Sequence, residues 1–201
     1  FEAMQAANAD APFAWLNLGV VQERRGRTAE AKRSYRKALD LDARFLPAVF
    51  NLATLLSTTG DGATAERVLE AALELDPEEG ELHYSLGLLR AELGNLEGCA
   101  EALEAASERL PDRPRIHFNR GLALLQIGRS GPAEKALLRA ASLAPGDPDL
   151  IHGLATFYLE QNQLELAEEW TRRLMQAVPQ APGPAELLAE IERRMAERDA
   201  K

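Results

Sequence analysis

Cysteine occurs once, at Cys99, so no disulfide can form within the chain and no cysteine cluster can hold a metal. Aromatic residues make up only 5%, which argues against a core of stacked rings and for helices that meet through small side chains. Histidine is limited to His83, His117 and His152, and their spacing matches no paired-histidine metal motif. A nucleophile elbow and a phosphate-cradling glycine loop are also missing. No catalytic residue, cofactor or metal is therefore expected, and the chain does not read as an enzyme. No apolar run approaches the roughly 20 residues that span a bilayer, and no leader of charged then apolar residues opens the sequence. The expectation is a soluble protein without membrane insertion, cytoplasmic or exported after removal of a leader.

Positive charge is in the minority, with 23 Lys and Arg against 32 Asp and Glu and a formal net charge of −9. Nucleic-acid affinity comes largely from basic side chains displacing counterions, so a nucleic-acid partner is not expected. The charge is nevertheless segregated. Arg24, Arg25, Arg27, Lys32, Arg33, Arg36 and Lys37 crowd one stretch, whereas Asp61 to Glu108 is acidic. Solvated helix faces account for this pattern, with an electrostatically steered docking patch as the alternative.

What the sequence does contain is a repeat. Apolar residues at 46% and charged residues at 27% are ordinary globular usage. Within that usage the stretches starting at His83 and His117 align without a gap, at an offset of 34 residues. The same offset starts units at Pro12, Leu46, Gly80, Pro114 and Pro148. The eighth position then reads Gly19, Ala53, Gly87, Gly121, Ala155, and the twentieth Ala31, Ala65, Cys99, Ala133, Ala167. Glycine within a helix costs about 1 kcal/mol relative to alanine, so its recurrence at one phase predicts that two helices approach closely there. The fifteenth position, Gly26, Gly60, Gly94, Gly128 and Asn162, holds residues that tolerate the left-handed turn ending a helix. The thirty-second reads Ala43, Pro77, Pro111, Pro145, Pro179, where proline separates one unit from the next. Apolar residues between the breaks recur at helical spacing, as in Leu82, Leu86, Leu89 and Leu93. Each unit thus reads as a hairpin of two short amphipathic helices.

Trp15, Leu18, Gly19, Ala31, Tyr35 and Ala38 follow the large-Leu-Gly, Ala, aromatic, Ala pattern of a known family. From Pro12 to about Ala181 the chain resembles the tetratricopeptide repeat (TPR) family. The resemblance implies an all-α protein, a right-handed α-solenoid of antiparallel helix-turn-helix repeats. The expected division is 1–11, the end of a truncated upstream repeat; five repeats at 12–45, 46–79, 80–113, 114–147 and 148–181; and a capping helix at 182–201. Arg120, Ala43, Thr171 and Leu174 depart from the pattern, and the fifth hairpin is expected to pack differently, with Trp170 supplying bulk one position early.

In this family the first helices line a concave groove, with positions two, five, six, nine, twelve and thirteen facing it. Carried over, the resemblance implies a peptide-binding groove of Leu16, Asn17, Val20, Phe50, Asn51, Thr54, Tyr84, Ser85, Leu88, Phe118, Asn119, Leu122, His152 and Thr156. Rings at position five offer apolar contact. Amides at position six can satisfy a peptide main chain. A clamp for acidic tails is not expected, because the groove lacks Lys and Arg while Glu81 and Glu92 would repel carboxylates. His83 and His117 are read as packing substitutes for Trp15. Cys99 is read as an alanine substitute whose carboxylate neighbours raise its thiol pKa.

Phe1 falls on the twenty-fourth position of a unit whose earlier part is missing, which reads as excision from a longer polypeptide. Six units of 34 make about 204 residues, close to the 201 present, so the two ends are nearly in phase. Hence the expected function is a non-catalytic scaffold or adaptor that binds a protein or peptide in its groove, as part of a larger protein. The alternatives are a homo-oligomer assembling head to tail through Phe1, Met4, Leu187, Leu188, Ile191 and Met195, or an accessory segment of an enzyme or electron-transfer protein.

Overall fold

The computed structural model describes residues 11–200, which form eleven α-helices among the described residues. Phe1 and Met4 lie outside them. The helices divide into two compact units, with the boundary after Arg109.

The first unit holds α1 (Pro12–Arg24), α2 (Thr28–Leu41), α3 (Leu46–Thr58), α4 (Gly62–Leu75), α5 (Gly80–Glu92) and α6 (Leu96–Arg109). Each helix packs on its chain neighbours. The second holds α7 (Pro114–Gln126), α8 (Ser130–Leu143), α9 (Pro148–Glu160), α10 (Leu164–Ala177) and α11 (Gly183–Asp199), again packed in chain order. A first helix of 13 residues alternates with a second of 14 until the longer α11.

Local chemistry sets the ends of the helices. Proline stands in the first two positions of α1, α3, α7, α9 and α11, where its missing N–H would have had no helical partner anyway. Asn95 caps α6 through Oδ1, which accepts from the Gly98 N–H at 3.0 Å. Every hairpin turn closes in the same way. Arg27, Asp61, Asn95, Arg129 and Gln163 donate their backbone N–H to the carbonyl five residues earlier, at 2.8–2.9 Å. The residue before each donor has positive φ, from 55° at Asn162 to 83° at Gly60, and this explains the glycines and the lone asparagine at that phase.

The core of each unit runs along the seams between helices. In the first, Tyr35, Leu52, Leu56, Leu69 and Leu82 are fully buried, and in the second, Ile116, Leu137, Leu150, Leu154, Leu164 and Ile191 are. The glycines at the eighth position let the paired helix close in. A Cβ on Gly19 would lie 2.4 Å from the Tyr35 ring, and one on Gly87 or Gly121 would lie 2.7 Å from Leu103 or Leu137. The side chain filling the space belongs to the residue sixteen positions on, not to the small residue at the twentieth position. The helix backbones are close as well, with Ala133 O at 3.3 Å from the Gly121 site.

The last hairpin corrects one expectation. Trp170 does not take the place of the missing aromatic. It lies half-buried with the Arg173 guanidinium 4.4 Å from its ring centroid, and the fully buried position stays with Thr171, whose hydroxyl donates to the Ala167 carbonyl at 2.7 Å. Aromatic bulk in this hairpin comes from α9, where Phe157 and Tyr158 are buried edge to face with centroids 5.2 Å apart.

Candidate functional site

Successive first helices leave a cleft between them in each unit. In the first unit the cleft lies between α3 and α5, has a volume of about 240 Å3, and is lined by Phe50, Thr54, Ser85, Leu88 and Glu92 over Leu69 and Leu89. In the second it lies between α7 and α9, has a volume of about 580 Å3, and is lined by Phe118, Leu122, His152, Thr156 and Glu160, with Asp149 and Phe157. The two clefts occupy the same phase of the repeat. Each pairs a half-buried ring with apolar floor residues and a carboxylate at the edge.

Of the residues that the sequence points to, Phe50, Thr54, Ser85 and Leu88 meet in the first cleft, and Phe118, Leu122, His152 and Thr156 in the second. Leu16, Asn17, Val20, Asn51, Tyr84 and Asn119 line neither. Leu16 is buried, Asn17 is exposed, and the other four are half-buried. At the far end of the chain, Leu187, Leu188 and Met195 are half-buried, but Ile191 is completely covered within its own unit, so it offers no surface for head-to-tail assembly.

The edges of the clefts are tied differently. Ser57 on α3 donates to Glu92 on α5 at 2.7 Å, bridging the first cleft. In the second, Asp149 pairs with Arg115 on α7 at 2.8 Å, while Glu160 is exposed at the end of α9. No lysine or arginine lines either cleft. Sequence reasoning did not single out Asp149 or Glu160, although they stand at positions two and thirteen of their unit, where the family pattern faces the groove. Nor did it identify the floor residues Leu69, Leu89 and Phe157, because their apolar character reads equally as core.

Burial explains two titrations outside the clefts. The Tyr35 and Tyr158 hydroxyls are pushed well above the ordinary range, first by burial and then by donating to the carboxylates of Glu23 at 2.6 Å and Glu134 at 2.8 Å. The Cys99 thiol is also raised, by burial, and the charge felt there is the Arg90 guanidinium, which pulls the other way. This corrects the expectation that neighbouring carboxylates do the raising.

His83 and His117 have a definite packing role. Each ring places Nε2 2.8 Å from the carbonyl of the proline six residues earlier, Pro77 and Pro111. A carbonyl can only accept, so Nε2 carries the hydrogen. Among the described residues no group of His, Cys, Asp and Glu is arranged to hold a metal ion, and no described helix is long and apolar enough to cross a membrane.

Comparison with known proteins agrees with this architecture. Tetratricopeptide repeat family profiles match residues 12–45, 58–125 and 124–191. Among solved structures, the chain is similar to pilF of Pseudomonas aeruginosa, at 24% identity and a TM-score of 0.74 over 96% of this chain and 88% of that one. It is also similar to YrrB, described as a TPR protein with an unusual peptide-binding site, at 20% identity and a TM-score of 0.74 over 96% and 97%. MamA of Desulfovibrio magneticus RS-1 matches at 19% identity and 0.74 over 85% and 97%. No curated protein matches the sequence. With all-α hairpins throughout the described residues and profile matches over most of its length, the chain belongs to the tetratricopeptide repeat family.

Proposed function

We propose that this protein is a non-catalytic interaction scaffold that holds a polypeptide along its first helices, with the α3–α5 and α7–α9 clefts as the points where side chains enter. The observation that carries this reading is the recurrence of one cleft type in both units, at the same repeat phase, each with a ring, an apolar floor and a carboxylate edge. Such recurrence suits a polypeptide ligand whose apolar side chain enters a cleft of this type in either unit. Binding energy would come from apolar burial at about 25 cal/mol per Å2, less the cost of ordering the ligand. The peptide-binding site named for YrrB is in keeping with this reading. The groove is proposed to take in the remaining first-helix candidates, Leu16, Asn17, Val20, Asn51, Tyr84 and Asn119, as flanking contacts, within five repeats bounded at 12–45, 46–79, 80–113, 114–147 and 148–181.

The test replaces Phe50, Tyr84 and Phe118 with alanine, singly and together, and measures retention of partner polypeptides on the immobilised full chain, with helicity checked by circular dichroism. Loss of retention at unchanged helicity is expected; full retention by the triple variant rejects the groove.

A further inference from the structure

We infer that the α7–α9 cleft is the principal pocket of the groove and takes one bulky apolar side chain of a partner peptide, with a Lys or Arg beside it held by Glu160. The inference rests on the groove reading above and adds to it the chemical class of the ligand. Three observations converge on it.

The first is size. Clefts that bury a whole small-molecule ligand enclose roughly 300–1,000 Å3, ample for one large side chain. The second-unit cleft, at about 580 Å3, falls within that range, and the first-unit cleft, at about 240 Å3, falls below it.

The second is how the pocket is kept open. The sixth position of the repeat carries Asn17, Asn51, Ser85 and Asn119 but Gly153 in the last hairpin. A Cβ at Gly153 would lie 2.5 Å from Cε2 and 3.0 Å from Cζ of Phe118. The ring therefore rests on bare backbone, and any larger residue at 153 would drive it off that seat.

The third is charge. Asp149 is engaged by Arg115, whereas Glu160, at the end of α9, faces solvent at the edge of the pocket. No Lys or Arg lines the pocket, and the whole chain carries −9. A basic residue next to the apolar anchor is complementary to that edge, and an acidic one is repelled.

The experiment selects peptides from a random displayed library on the immobilised full chain, then measures affinities of the synthetic winners by fluorescence polarisation. The expected consensus is a large apolar residue adjacent to Lys or Arg. Gly153→Ser should weaken these peptides about tenfold by displacing the Phe118 ring, and Glu160→Gln about threefold, with weaker binding as salt is raised. Glu160 is exposed, so its variant keeps the test valid should Gly153→Ser unfold. Winners that are acidic or wholly polar, or that bind Glu160→Gln and a folded Gly153→Ser as tightly as the parent, overturn this inference. If such winners still lose affinity on Phe118→Ala, the groove reading stands without it. If no peptide is selected, or binding ignores Phe50→Ala and Phe118→Ala alike, both fall.

Discussion

The ring of Phe118 on α7 rests against the bare backbone of Gly153 on α9, so close that a Cβ there would lie 2.5 Å from Cε2. One contact thus joins two successive first helices and forms a wall of the larger cleft.

Gly153→Ala gains helix propensity, about 1 kcal/mol, but must displace the ring at a cost of about 1–3 kcal/mol. A net loss of about 1 kcal/mol is expected in urea denaturation. Gly131→Ala, at a site with nothing within 4 Å of the added carbon, should instead leave stability unchanged or raise it by about 0.5 kcal/mol. Equal behaviour of the two variants would refute the steric account.

Alkaline pH tests the buried tyrosines. In the folded chain Tyr35 and Tyr158 hold their protons more tightly than when unfolded. The unfolded state therefore releases them first, from about pH 10 upward, and stability present below that pH falls as pH rises further. Absorbance titration should show these two phenols ionising only as the helices melt. Tyr35→Phe should flatten the decline.

Arg90 ties α5 to α4, with Nε 2.7 Å from Glu66 and Nη2 2.8 Å from Glu70, and its side chain is only 19% exposed. Arg90→Ala should cost about 1–2 kcal/mol. A double-mutant cycle with Glu66→Ala should recover about half of it as coupling, since Glu66 is itself partly screened. Zero coupling would make the pair incidental.

The C-terminal helix is held to α10 by fully buried Ile191 and by Arg198, 2.8 Å from Glu165. Ile191→Ala should destabilise the second unit by about 2–4 kcal/mol. Hydrogen exchange would show the loss in α10 and α11 first.

Native Cys99, buried and with its thiol raised in pKa, should resist thiol reagents at pH 8 and react at once in denaturant. Rapid labelling of the folded chain would contradict its burial.

These tests also mark how far the sequence could be read. The left-handed turns were legible because only glycine and asparagine adopt them readily, and Gly26 through Asn162 keep strict phase. Close helix approach at Gly19 was legible too, but not that the Tyr35 ring fills the space, since spacing gives a face and not a side chain's reach. Eight of the fourteen first-helix candidates meet in clefts, because periodicity puts them on one face. Whether Asn51 or Ser85 reaches the opening depends on helix crossing, which pattern alone does not encode. Gly153 was visible as a break in the amide series, yet its meaning appeared only with the ring lying on it. Trp170 misled because bulk near a vacant aromatic position resembles a replacement, and one residue is a turn of about 100° around a helix.

The bonds from His83 to the Pro77 carbonyl and from His117 to the Pro111 carbonyl have a mechanical consequence. A chain pulled from its ends yields first where a joint has least to hold it. Within the first unit, the joint at Ala43 is followed by Val49, which has no ring nitrogen to offer. Under tension, the joint at Pro77 keeps a side-chain tether that the joint at Ala43 lacks, so within the first unit the order of extension would be written by which side chain follows each turn.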